Sequence, residues 1–214
     1  MLTYSSTTHD SVVPDNFIYL TEVIPNIRFD LRYYSDDNFV GQPIPGYESN
    51  VMILTLQAAM ALKKVQHDLS YGCFSLKVFD GYRPQQAVDY FVRWAGDTED
   101  ERMKELYYPN VEKFDLFPKG FLVEQSSHSR GSTVDVTIIS NEDGSELDMG
   151  TPFDMFDLKS WPSDTTVTKE QRANRMLLRS AMSKHGFVGL EEEWWHFTLF
   201  NEPYPDTYFD FPVK

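Results

Sequence analysis

The chain has 214 residues, 41% of them hydrophobic and 15% aromatic, which is enough for one well-buried core and asks for no second unit. Nineteen Lys and Arg stand against 33 Asp and Glu, a formal charge of −14, which speaks against nucleic-acid phosphates and anionic lipid surfaces as partners. A single cysteine, Cys73, rules out an internal disulfide, and no apolar run is long enough to span a bilayer.

The first ten residues, with His9 in a tail, lack the basic start and apolar run of a signal peptide, so a cytoplasmic location is expected. Up to about Asn50 the chain is rich in Pro, Asn, Asp and Tyr, which predicts short strands and turns on the surface. Leu54, Ala58, Ala61, Val65 and Leu69 then recur at helical spacing and close on Gly72, predicting an amphipathic helix with a glycine cap. Cys73 follows as a small buried thiol at a strand start. Phe74, Leu76 and Val78 alternate with Ser75 and Lys77, predicting a half-buried strand that runs into the turn Asp80-Gly81-Tyr82-Arg83-Pro84. Pro84 is placed to open a helix whose buried face holds Ala87, Val88, Phe91 and Trp94. Arg83 thus lies at a strand-to-helix junction.

From Asp97 to Gly120 a short helix and a long solvated connection are expected. Val134, Val136 and Ile138 form one face of a later strand, with Asp135 and Thr137 on the other. The Asp-, Gly-, Pro- and Ser-rich segment from Ser140 to Ser163 reads as a loop excursion, and loops of that length are often functional. Thr168 and Gln171 have capping-box spacing. Met176, Leu177, Ser180 and Ala181 carry that helix toward Gly186, and Trp194 to Phe200 alternates as a final buried strand.

Two clusters in the second half supply two imidazoles and two carboxylates: Ser126-Ser127-His128-Ser129-Arg130-Gly131 leading to Asp135, and Glu193-Trp194-Trp195-His196. A catalytic zinc takes three N or O ligands and leaves a position for water, and a carboxylate off the metal can take the water's proton. His128, Asp135 and His196 fit the ligand roles and Glu193 the base. In a regular strand Glu193 would face away from His196, so a bend, bulge or strand start is expected at Glu193. Singly, these residues are ordinary. His67 and His185 read as helix-surface or helix-terminus residues, Glu191 to Glu193 as a solvated acidic run, and the tryptophans as core.

Taken together, the two clusters and the Asp80-Gly81-Tyr82-Arg83-Pro84 turn resemble the VanX-type D-Ala-D-Ala dipeptidases of the zinc D-Ala-D-Ala peptidase family. The resemblance extends to Tyr33 to Phe39, Gly41 to Tyr47, Met149 to Asp154 and the closing Glu202 to Lys214. It implies an α+β fold, a compact single domain with a central antiparallel sheet flanked by helices, shared with the hedgehog signalling domain. It also implies one zinc per chain on His128, Asp135 and His196, Glu193 as general base, and Arg83 on the oxyanion. Asp154 matches an acidic residue near the substrate ammonium, and Tyr33 and Ser126 match polar residues of the dipeptide pocket. Asp154 capping a turn, Ser126 satisfying loop backbone and Arg83 in a surface ion pair are the alternatives.

The implied reaction is hydrolysis of D-Ala-D-Ala to two D-alanines, with a role in cell-wall metabolism, nutrition or glycopeptide antibiotic resistance. Two rivals stand beside it: a D,D-carboxypeptidase acting on longer peptides, and a catalytically silent zinc-binding interaction domain. The oligomeric state is open, with a homodimer among the alternatives.

Overall fold

A computed structural model describes residues 13–214, so the expectation for His9 lies outside the described residues. The elements in chain order are β1 (Phe17–Tyr19), α1 (Leu20–Val23), β2 (Arg28–Phe29), β3 (Ile53–Thr55), α2 (Leu56–Ser70), β4 (Phe74–Asp80), α3 (Gln85–Gly96), α4 (Lys104–Tyr107), β5 (Thr133–Ser140), α5 (Lys169–Lys184), β6 (Phe187–Gly189) and β7 (His196–Leu199). Five strands form one sheet in the order β2-β4-β5-β7-β6, and β1 pairs with β3 in a separate ribbon. The α+β class holds. The sheet is antiparallel except at one edge, where β2 runs parallel to β4.

Strand β5 is the middle of this sheet and is buried on both faces from Thr133 to Ile139. Helix α2 packs on β4 and α5, and α5 on β6. The Thr168–Gln171 capping box is formed, and Gly186 takes a left-handed φ of 88° where α5 ends. The apolar stripe of α3 is as expected, with Ala87, Val88, Phe91 and Trp94 buried.

Several local expectations are corrected. The region before Asn50 is not surface structure: Leu20, Leu31, Tyr33, Phe39, Val40, Ile44 and Tyr47 are all core. Its turn residues shape the backbone while its aromatics turn inward. Leu54 belongs to β3, because the Thr55 side chain caps α2 by accepting from the Ala58 amide. Cys73 is exposed and left-handed at φ 62°; it, rather than Gly72, absorbs the sharp exit from α2. The segment from Asp97 to Gly120 is not simply solvated, since Tyr107, Tyr108, Val111 and Leu116 enter the core. On α5 the buried residues are Arg175, Leu178 and Met182, while Met176 and Leu177 are exposed. The stripe runs one position away from the longest apolar residues.

The closing segment straps the turns that carry the candidate site. The Phe209 amide donates to Ser129 O, and the Gln85 amide at the start of α3 donates to Phe209 O. The Asp210 carboxylate accepts from the Gln86 amide, and Tyr82 stacks on Phe211 with its hydroxyl donating to Phe211 O.

Candidate active site

Strand register assembles the centre. Asp135 on β5 is paired with His196 on β7 and, on its other side, with Asp80 on β4. A bulge between Val78 and Asp80 shifts the β4 register by one residue. Without it Asp80 would share the face of Val78, which is paired with Val136; with it Asp80 turns to the face of Asp135. His128 arrives from a short 3-10 helix, Ser127–Arg130, that ends at Gly131 with φ 83°. A Cβ at Gly131 would stand 2.2 Å from the Phe17 ring, so only glycine ends the turn there.

The three expected metal-site residues converge. Their donor atoms all lie within 4.8 Å of one another. His128 Nε2 is 3.2 Å from Asp135 Oδ2, and His196 Nδ1 is 3.2 Å from both Asp135 Oδ1 and His128 Nε2. The far nitrogen of each ring is occupied: His128 Nδ1 lies 2.7 Å from Gly81 O, and His196 Nε2 3.2 Å from Ser127 Oγ. With the proton on Nδ1 of His128 and on Nε2 of His196, the tautomers a bound metal would require, both inner nitrogens present lone pairs beside the carboxylate. Asp135 Oδ1 has no hydrogen-bond partner and is buried. Two imidazole lone pairs and an orphaned carboxylate oxygen form a set that could hold a divalent cation of the zinc type.

Glu193 comes to the same place. Strand β7 begins only at His196, after a turn at Trp194 and Trp195, so the expected break is present and the expected strand start at Trp194 is not. The turn brings Glu193 Oε2 to 3.6 Å from His196 Nδ1. Burial, followed by Asp135 and Asp154, pushes the Glu193 carboxyl well above the usual range. For Asp135 burial acts upward, but the adjoining imidazoles outweigh it and hold the group well below the usual range. Burial pulls His196 down, which keeps its ring neutral and a better ligand.

Arg83 is not in a surface ion pair. Its side chain is 12% exposed, with Nε 2.9 Å from Asp80 Oδ2 and Nη2 3.5 Å from Asp135 Oδ2. The guanidinium lies 4.9 Å from the Tyr33 ring centroid. Tyr33 donates its hydroxyl to Asp154 Oδ2 at 2.8 Å, and burial together with Asp135 pushes Asp154 up to about 8. Ser126 Oγ accepts from the His128 amide at 3.3 Å, so it does satisfy loop backbone, and it also lines the cavity.

Arg83, Asp154, Tyr33, Ser126 and Glu193 share one cavity of about 280 Å³ with the His-Asp-His centre. Its apolar wall includes Phe39, Val88, Phe91, Phe121 and Phe156. Sequence reasoning passed over three supports. Asp80 accepts from the Tyr47 hydroxyl at 2.9 Å and anchors Arg83, and Ser127 fixes His196. The Asp80 and Arg83 spacing of three was a usable signal; nothing local marks Tyr47.

A cavity with this donor set can be set against known proteins. Residues 14–214 match the model of the D-ala-D-ala dipeptidases. The chain belongs to the D-Ala-D-Ala dipeptidase family. It is 44% identical over 201 residues to a D-alanyl-D-alanine dipeptidase of Enterococcus faecalis (strain ATCC 700802 / V583), covering 94% of this chain and 99% of the relative. It is 40% identical to one of Enterococcus faecium over 92% of this chain and 98% of the relative. A Streptomyces coelicolor relative of the same name is 41% identical over the same shares. Membership in the D-Ala-D-Ala dipeptidase family makes the chain a peptidase, as the resemblance of the two clusters implied. Among the described residues of this family member, no helix is long and apolar enough to cross a membrane.

Proposed function

We propose that the protein hydrolyses D-Ala-D-Ala to two D-alanines with one zinc ion held by His128, Asp135 and His196. The observation that carries this reading is the set of His-Asp-His donor atoms at 3.2 Å spacing, with Glu193 at their edge and Arg83 and Asp154 in the same cavity. Charge supports it. Asp80, Asp135, Asp154 and Glu193 surround a single guanidinium, so four carboxyl groups share one cationic side chain. A divalent metal together with one substrate ammonium matches that excess.

Zinc, when bound, polarises a carbonyl and acidifies a water. Glu193 takes the proton of the attacking water on its carboxylate and passes it to the nitrogen of the leaving amine. The positive charge beside it opposes the burial that would otherwise keep it protonated. Arg83 donates to the oxygen that becomes negative as the carbonyl is attacked, and Asp80 holds the guanidinium still for that task. Asp154, steadied by the Tyr33 hydroxyl, takes the free ammonium. The acidic Asp154 in the cavity would meet the free ammonium of a dipeptide, which favours a dipeptide over a longer stem.

The test is amino-acid release from D-Ala-D-Ala, L-Ala-L-Ala and a peptide of five residues ending in D-Ala, with and without a chelator. Chelator-sensitive release of D-alanine from the first alone supports the reading. Preference for the longer peptide would make it a carboxypeptidase, and bound metal without hydrolysis of any substrate a silent domain.

A further inference from the structure

Arg175 is 4% exposed on α5 and, among the described residues, has no carboxylate within 4 Å. A buried guanidinium without a counter-charge is expensive, so its hydrogen bonds identify its job. All three go to main-chain carbonyls of one loop. Nε donates to Met149 O at 2.6 Å, Nη2 to Lys159 O at 2.9 Å and Nη1 to Trp161 O at 2.9 Å. The first carbonyl opens the loop and the other two close it, so a single planar fork draws the two ends together.

Asp154 stands at the middle of this loop, with a left-handed φ of 61°. Such a conformation persists in a non-glycine residue only where its surroundings over-determine it. Three further bonds brace the same loop. Ser160 Oγ donates to Met155 O at 2.6 Å, the Trp194 indole donates to Thr151 Oγ1 at 2.9 Å, and the Trp194 amide donates to Ser160 O at 3.1 Å. Through Trp194 the brace reaches the residue beside Glu193.

We infer that Arg175 is a positioning residue: by clamping both ends of the Met149 to Trp161 loop it sets where Asp154 stands, and so how tightly the ammonium of the dipeptide is held. This deepens the proposed function and rests on its assignment of Asp154 to the ammonium. Lysine cannot replace the fork, since one ammonium does not reach three diverging carbonyls with the same geometry.

The experiment is a double-mutant cycle on the zinc-loaded enzyme, using Arg175→Lys, Asp154→Asn and the pair, with KM and kcat on D-Ala-D-Ala, metal content and melting temperature for each. Arg175→Lys is expected to raise KM about tenfold with kcat changed less than about threefold, and to add nothing to KM when Asp154 is already Asn. Ser160→Ala, which loosens the same loop without touching the guanidinium, should shift KM in the same direction and guards against Arg175→Lys failing to fold. If the KM effects of Arg175→Lys and Asp154→Asn multiply independently, or if kcat falls with KM unchanged, Arg175 does not act through Asp154. If Asp154→Asn alone leaves KM unchanged, it is the reading of the ammonium site that fails.

Discussion

Asp135 and His196 are register partners across β5 and β7, with Oδ1 3.2 Å from Nδ1. Two of the three candidate ligands are thus fixed by the sheet itself, Asp135 on a strand buried on both faces and His196 on its neighbour, and only His128 depends on a turn. Asp135→Asn and His128→Ala should therefore lose zinc while keeping the fold. The loss in affinity should exceed the roughly 10–100-fold that removal of an outer-shell partner costs. Metal analysis after dialysis, beside a circular dichroism spectrum, reads both; a zinc-loaded His128→Ala protein would remove His128 from the ligand set.

Glu193→Gln should behave in the opposite way. The amide fits the turn before β7 and cannot accept a proton, so zinc content and KM should stay near the parent values. Turnover should fall by roughly 10²–10⁴. Steady-state kinetics on D-Ala-D-Ala separates the two parameters, and an enzyme of unchanged kcat would show that another group takes the proton.

The ionisation of Asp154 predicts a pH-dependent stability. Its carboxyl is pushed up to about 8 in the fold from an ordinary 3.8, first by burial and then by Asp135. Between these values the folded chain binds a proton that the unfolded chain has released. Stability of the metal-free protein therefore falls as pH rises from about 4 to about 8, and the penalty is complete above that window. Asp154→Asn, in chelator, should be more stable than the parent by at least about 1 kcal/mol above pH ~8, and the gain should disappear near pH ~4. Thermal melts at the two pH values test this; an equal difference at both would assign the effect to something other than ionisation. The same substitution should raise KM for the dipeptide.

Arg83→Lys keeps the charge and loses the geometry. The guanidinium is held at once by Asp80 on Nε and beside Asp135 on Nη2, above the Tyr33 ring. A lysine ammonium could answer one carboxylate and would leave the reacting oxygen without its donor. Turnover should drop by about 10²–10³ with zinc retained, the range for loss of one oxyanion donor. Equal loss in Arg83→Lys and Arg83→Ala would show that geometry matters more than charge; near-parent activity in Arg83→Lys would show the reverse.

What could be read from the chain beforehand was the chemistry that is local in sequence. The capping box at Thr168, the alternation of β4 and the break before His196 each depend on residues a few positions apart. The helix stripe of α5 failed because apolar length suggested Met176 and Leu177, whereas tertiary contact with the Met149 to Trp161 loop turned Arg175 inward. Cys73 failed for a similar reason: the small side chain suggested burial, while the exit from α2 demanded a left-handed residue at the surface. Asp80 and Tyr47 lie 33 residues apart and meet only through the β4 bulge and the packing of the early aromatics. No periodicity carries such a pairing.

Ser127 offers a selective test of the metal centre, because its hydroxyl meets the outer nitrogen of a candidate ligand and, although it lines the cavity, it has no role in the proposed proton transfers. Its Oγ lies 3.2 Å from His196 Nε2, the only side-chain contact the ring's outer nitrogen has among the described residues. By accepting from Nε2, the hydroxyl would favour the tautomer in which Nδ1 is free to bind a metal. Ser127→Ala should weaken zinc by roughly 10–100-fold, leave kcat of the fully loaded enzyme within about threefold of the parent, and be rescued by excess metal. Competition against a chromophoric chelator gives the affinity, and titration with zinc gives the rescue. An unchanged affinity would mean that the sheet register alone orients His196, with the hydroxyl a bystander.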